Sequence, residues 1–373
     1  MEHRLILFVF LLCAFLISAA ASGMVIPRIL SRSLKRGWLD KPDYRKMHSG
    51  YASRLGGLAF LPETLLSIAV VIAFYFLTQA SDFFVFTPIP FPQWLFLLLA
   101  AAVVYVTGAI DDLKNLSYRV KLVAITVAAV FAMLSGLHVD TLDGFLGIHQ
   151  LPVWLDCCLT LVLIVGVVVA LNLIDGIDGL ASGLTSLSLC YYGAWFVSLN
   201  EFSYALGVFA LLGAIVPFFF YNTYSKSTRH RIFMGDTGSM TLGLALVVCA
   251  LACHERSVEA DNISFVHAVS PLLVPCLDAL RVFALRILSG VSPFCPDKTH
   301  LHHKLVALYG SQNKARRIIL LVAVVYVICN YFLAAFININ ILLLTESALY
   351  FLWNMSLSHR LKKRERSVQK QTK

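Results

Sequence analysis

Charge is scarce in this chain. Only 14% of its 373 residues are Asp, Glu, Lys or Arg, against about 25% in soluble globular domains. No stretch of 50 residues lacks a hydrophobic segment, which excludes a separate soluble domain. The nine cysteines show no paired spacing: Cys157 and Cys158 are adjacent, and most others sit within apolar runs, where Cys behaves as a small hydrophobe. A zinc framework or disulfide scaffold is therefore not implied. Internal repeats and low-complexity segments are missing too, and Lys and Arg are absent from 80–92 and 139–153. What is present is 59% hydrophobic residues and a mean hydropathy of +0.78. These define an all-α fold, a polytopic transmembrane helical bundle built as one unit.

Hydropathy predicts spans near 4–26, 57–79, 92–110, 121–138, 154–174, 179–199, 203–221, 237–254, 264–280, 317–337 and 341–357, about eleven in all. The first of these also has the look of a cleavable signal peptide, but its apolar run is long enough to span and is read as a retained helix. The connections after spans one, three, seven and nine, with the C-terminal tail, contain 28 of the 30 Lys and Arg residues; only Arg4 and Arg256 fall on the other side. By the positive-inside rule the N-terminus is periplasmic and the C-terminus cytoplasmic. The net charge of +9 is then mainly a topology signal, with attraction to anionic membrane lipid secondary and no support for nucleic-acid binding. Residues 1–358 are expected to form one integral-membrane domain and 359–373 a basic cytoplasmic tail, most simply a solvated anchor.

The chemically rich connections fall on that same cytoplasmic side. The sharpest is Asn172-Leu-Ile-Asp175-Gly-Ile-Asp178-Gly179, between two apolar runs. A carboxylate at the bilayer centre costs about 2.5–3.5 kcal/mol, so acids at the edge of such a run are functional candidates. Steps of three put Asn172, Asp175 and Asp178 on one broad helical face, a set suited to a hard cation, Mg2+ above all with Mn2+ as an alternative. A merely acidic helix boundary is the competing reading. Asp111-Asp112 after span three pairs adjacent carboxylates, as a general base requires, although a solvated helix end would look the same. Gly235-Asp236-Thr-Gly-Ser239 reads both as a helix N-cap and as a phosphate site. His300-Leu-His302-His303-Lys304 places three histidines within four residues, either a donor cluster for a diphosphate or a transition-metal site. Arg54-Leu-Gly-Gly57 suits an anionic head group or an interfacial anchor, and Asp278 with Arg281 three residues on suits an ion pair. A transporter would instead place ionisable groups at midplane, where these spans are almost purely apolar.

In this order, His48…Arg54-Leu-Gly-Gly, Asp111-Asp112, Asn172-x-x-Asp175-Gly-x-Asp178-Gly, Gly235-Asp236-x-Gly-Ser and His300-x-His302-His303 resemble the polyprenyl-phosphate N-acetylhexosamine-1-phosphate transferase superfamily. The run Ser292-Pro-Phe-Cys-Pro-Asp297-Lys-Thr-His300 is most similar to its bacterial UDP-GlcNAc:undecaprenyl-phosphate branch, which serves cell-envelope polysaccharide synthesis. The peptidoglycan branch typically carries three consecutive histidines, unlike this chain. CDP-alcohol phosphatidyltransferases share only the start of Asp175-x-x-Asp178-Gly179 and leave the histidines unexplained. The resemblance implies an inner-membrane, Mg2+-dependent enzyme acting on UDP-GlcNAc or a related UDP-sugar and undecaprenyl phosphate, with a homodimer left open. It implies Asn172, Asp175 and Asp236 at the metal. Asp111, Asp112 and Asp178 would serve catalysis. His48, Arg54, Arg119, Lys121, His300, His302 and His303 would bind the substrates.

Overall fold

The computed structural model describes residues 2–39, 52–78, 89–224, 231–258, 264–292 and 299–371. His48 and Asp297 lie outside these residues. The helices are α1 (Glu2–Arg36), α2 (Phe60–Leu77), α3 (Phe91–Lys114), α4 (Tyr118–Leu134), α5 (Val153–Ile174), α6 (Leu180–Ser198) and α7 (Phe202–Tyr224). They continue with α8 (Gly235–Val258), α9 (Ser264–Val269), α10 (Leu273–Leu288), α11 (Leu301–Tyr309), α12 (Gln312–Leu333) and α13 (Ile339–Gln371). Every predicted span falls on one of these helices, or on α9 and α10 taken together.

Among the described residues, eight helices are long and apolar enough to cross a membrane: α1, α2 with the 3₁₀ turn before it, α3, α5, α7, α8, α9–α10 and α12. The other three expected spans fall on α4 (17 residues), α6 (19 residues) and α13 (33 residues). The protein is thus a multi-pass helical membrane protein.

α8 is the central element, buried over most of its length and packed by α3, α5 and α6. Its Gly238, Ser239, Gly243 and Ala245 supply the small surface that close helix approach in lipid requires. α1 packs along α7, where Ser22 Oγ donates to the carbonyl of Ala214 at 2.7 Å. α13 runs unbroken past residue 358, so the basic segment continues a helix rather than forming a separate tail.

The all-α expectation needs one correction. Between α4 and α5 lies an antiparallel hairpin, β1 (Thr141–Phe145) and β2 (Ile148–Gln150), with Thr141 opposite Gln150 and Phe145 opposite Ile148. The hairpin is tied to its surroundings by side chains. Asn340 Oδ1 accepts from Leu146 N at 2.5 Å, Asn340 Nδ2 donates to the Gly144 carbonyl at 3.1 Å, and Asp143 Oδ2 accepts from Phe265 N at 2.7 Å. It sits at the end of the bundle opposite the residues described next.

Candidate active site

The C-terminal ends of α3, α5 and α7, the N-terminal ends of α4, α8 and α12, and α11 meet around one cavity of about 440 Å³. Asp111, Asp112, Lys121, Asn172, Asp175, Asp178, Asp236, Arg54 and His303 all line it.

The start of α8 organises the site. Residues 53–57 pair with 231–234: Phe233 N donates to the Ser53 carbonyl at 2.6 Å, and Gly56 N and Gly57 N donate to Phe233 and Met234 at 3.0 and 2.9 Å. A side chain at Gly57 would overlap the backbone of Gly238, so this loop can lie flat on α8 only as glycine. Gly235 opens the helix at φ +69°.

The first-turn amides of a helix need acceptors. Here they find one on another helix. Asp112 Oδ1 accepts from Asp236 N at 2.7 Å, and its Oδ2 accepts from Thr237 N at 3.0 Å and Thr237 Oγ1 at 2.6 Å. Asp112 therefore caps α8 from α3, with both oxygens engaged. Asp236, which sequence alone allowed as the cap, is released to face the cavity. It accepts from Lys121 Nζ at 2.5 Å on Oδ2 and from Asn172 Nδ2 at 3.1 Å on Oδ1. Asn172 also donates to Ser239 Oγ at 2.8 Å. Its amide nitrogen thus orients Asp236, since an N–H carries no lone pair for a metal.

Asp111 accepts from Leu116 N at 2.6 Å through Oδ1, and Lys121 Nζ lies 3.4 Å from its Oδ2. Lys121 consequently sits between Asp111 and Asp236. Oxygens of Asp111, Asp112 and Asp236 come within 4.8 Å of one another, although those of Asp112 are already taken up by α8. Among the described residues no other such group of three occurs, so the histidines do not gather as a transition-metal site.

Asp175 caps the C-terminus of α5 at φ −73°, ψ 58°. Burial first, then the charges of Asp236, Asp178 and Asp112, push its carboxyl up to about 7. The turn carrying Asp175 and Asp178 is held from outside: Gly179 N donates to Asn222 Oδ1 at 2.6 Å, and Arg316 donates to the Asp178 carbonyl at 2.9 Å. Five carboxylates line the cavity against the two permanent cations Lys121 and Arg54. That excess fits a divalent cation with a phosphorylated ligand better than an organic anion alone.

The three histidines are not equivalent. His303 lines the cavity. His300 is buried behind it, its Nδ1 2.8 Å from Asp278 Oδ2. His302 is 1% exposed and lies against Gly176, and among the described residues neither ring nitrogen has a hydrogen-bond partner. Burial, then His303, pull its pKa down to about 3, leaving a neutral ring. His302 packs under the Asp175–Gly179 turn between the rings of His300 and His303, and neither His300 nor His302 lines the cavity itself. Arg119 is exposed, reaches back to the Tyr118 hydroxyl at 3.3 Å and does not line the cavity. Arg54 does line it and donates to Asn115 Oδ1 at 3.0 Å.

Sequence reasoning missed Asn115, Asn222, Thr237, Gln312 and Arg316. Of these only Asn222 left a signal, a lone amide after an aromatic run at the end of α7.

Against known proteins, the pattern described as glycosyl transferase family 4 matches residues 94–254, which contain the Asp111, Asn172–Asp178 and Asp236 clusters. A Salmonella typhi protein named undecaprenyl-phosphate alpha-N-acetylglucosaminyl 1-phosphate transferase is 30% identical over 297 residues, 79% of this chain and 76% of its own length. A Yersinia pestis protein of the same name is 28% identical over 293 residues, 78% and 75% of the two chains. With its acidic clusters inside the matched region and most of its length shared with such relatives, the chain belongs to glycosyl transferase family 4.

Proposed function

We propose that this enzyme transfers N-acetylglucosamine-1-phosphate from UDP-GlcNAc to undecaprenyl phosphate, releasing UMP, at the cytoplasmic face of a bacterial inner membrane. The observation that carries the reading is the convergence of five carboxylates, Lys121, Arg54 and His303 on one cavity in a membrane protein of this family. The segregation of basic residues supports a cytoplasmic site, and with it eleven spans, a periplasmic N-terminus and a cytoplasmic C-terminus.

In the reaction an oxygen of the lipid phosphate attacks the sugar-bearing phosphorus of the donor. One phosphoanhydride bond forms, the one to UMP breaks, and UMP departs with the bonding pair. Asp111 orients the lipid phosphate and takes a proton from it when it arrives protonated. Lys121, already shared between Asp111 and Asp236, follows the charge from incoming to bridging oxygens. Asp236 and Asp175 would hold Mg2+, with Asn172 fixing Asp236. When bound, Mg2+ supplies neutralisation of the charge that develops on the donor diphosphate. His303 and Arg54 contact donor and acceptor phosphates. Asp112, with both oxygens on the amides and hydroxyl of α8, keeps the helix terminus in register and is not free to attack phosphorus. Asp178 stands at the cavity wall beside Asp175 and positions the same end of the donor.

The test is a panel of radiolabelled UDP-sugars incubated with undecaprenyl phosphate and the purified enzyme, assayed for lipid-linked product and UMP. Product from UDP-GlcNAc supports the reading. No Mg2+-dependent UMP release from any UDP-N-acetylhexosamine removes it.

A further inference from the structure

α11 has nine residues and carries His303 into the cavity. Helices shorter than about 12 residues are marginal on their own in water. Gly310 closes the C-terminus of α11 in the left-handed conformation, its N–H on the Val306 carbonyl at 2.8 Å, but His300, the N-cap residue, makes no side-chain capping bond. Much of its stability therefore has to come from neighbours. Three of its contacts lead to α13.

At the start of α11, Asp278 Oδ1 accepts from Leu301 N at 3.1 Å, capping the helix from α10, and the same oxygen accepts from Tyr350 Oη of α13 at 3.1 Å. Arg281 completes this anchor, donating to Asp278 Oδ1 at 2.8 Å and to the Thr299 carbonyl at 2.7 Å. In the middle, Lys304 Nζ lies 3.4 Å from Oδ1 of the buried Asn354. At the far end, one guanidinium nitrogen of Arg364 donates to the carbonyls of Ala307 and Leu308 at 3.2 and 2.8 Å. Those are last-turn carbonyls, the negative end of the helix dipole, where a cation is favoured. Tyr350 (through Asp278), Asn354 and Arg364 thus serve α11 in order along its length, and the two helices pack together. Arg364 lies beyond residue 358, in the segment whose basic residues the sequence assigned to a solvated tail.

We propose that the extension of α13 past residue 358 is a positioning strut for α11, and through it for His303, with Arg364 closing the strut at the helix C-terminus. The strut's effect on turnover rests on the transferase reading above; its effect on α11 does not. Neither Tyr350 nor Arg364 lines the cavity, so both are positioning residues.

The experiment uses the full-length enzyme in detergent with Arg364→Met, Arg364→Lys and a chain ending at residue 358. Two quantities are read: steady-state UMP release with UDP-GlcNAc, and amide hydrogen exchange across residues 301–309. Arg364→Met is expected to raise the KM for the donor about two- to fivefold, the size of one cation at a helix C-terminus. The KM for undecaprenyl phosphate and kcat should stay within twofold, and exchange in 301–309 should speed up. Arg364→Lys keeps a donor at the last turn and should recover most of both losses. If the truncated chain does not fold, Arg364→Met still decides. Unchanged exchange in 301–309 in Arg364→Met overturns the strut whatever the catalytic result. Faster exchange with an unmoved donor KM, in an enzyme whose wild type turns over, overturns its link to His303. A wild type that releases no UMP refutes the transferase reading, while the exchange measurement still judges the strut.

Discussion

Thr237→Val tests whether Asp112 is an anchor. Thr237 is fully buried, and its hydroxyl donates to Asp112 Oδ2 at 2.6 Å. Valine has nearly the same shape and removes that one donor, leaving the backbone amides of Asp236 and Thr237 on the carboxylate. A buried hydrogen bond to a charged group contributes about 1.5–3 kcal/mol. Asp112 would be less firmly seated on α8, and Asp236, whose own amide it holds, would lose alignment toward Lys121. If the whole loss is felt in the transition state, kcat falls about ten- to hundredfold, at 1.36 kcal/mol per decade. The assay is UMP release at saturating substrates, with thermal unfolding in detergent as the folding control and Thr237→Ser as the rescue. Serine keeps the hydroxyl and should stay within about threefold of wild type in kcat. A nucleophilic Asp112 predicts the opposite, because releasing an oxygen would make it more reactive. A Thr237→Val enzyme with unchanged kcat, or a phosphosugar adduct trapped on Asp112, would refute the anchoring argument.

Three further expectations follow from the same geometry. Asp236→Asn keeps the Asn172 contact within reach but loses the charge paired with Lys121; UMP release should drop on the order of 10²-fold or more while the protein still folds, and a variant retaining a tenth of wild-type turnover would contradict the assignment. Because the Asp175 carboxyl is raised to about 7, it is largely protonated below that pH and must ionise to hold a cation. The Mg2+ concentration for half-maximal rate should therefore fall as pH rises from 6 to 8, a trend that Asp175→Asn should flatten. Gly57→Ala drives a methyl into the backbone of Gly238 and should destabilise the protein by about 1–3 kcal/mol, read as a lower thermal midpoint; an unchanged midpoint would show that the 53–57 loop is not seated on α8.

Much of the fold could be read from the chain. Apolar runs located the eight helices that are long and apolar enough to cross a membrane, and the basic residues divided the connections into two sets, one of which converges on the cavity. The separate acid clusters at 111–112, 172–178 and 236 could be assigned to one side for that reason. Atomic roles could not be read, because spacing says which loops share a face and not which oxygen meets which amide. In sequence Asp236 reads as the cap of its own helix; that Asp112 takes the role instead is decided by α3 lying beside α8, at a distance that Gly108 against Thr237 permits. The histidines separated for a similar reason. Adjacent positions on a short helix point in different directions, so His303 reaches the cavity while His302 is pressed on Gly176. The hairpin at 141–150 escaped notice because strands of five and three residues carry too little alternation to register, although Asp143, Gly144 and Gly147 all have positive φ.

That hairpin has a mechanical consequence. Asn340 of α13 holds it from one side and its own Asp143 holds the first turn of α9 from the other, so three separate parts of the chain are riveted together at the far end of the bundle. The hairpin therefore couples the first residues of α9 and α13 to the connection between α4 and α5, and elements far apart in sequence shift there as one unit rather than singly.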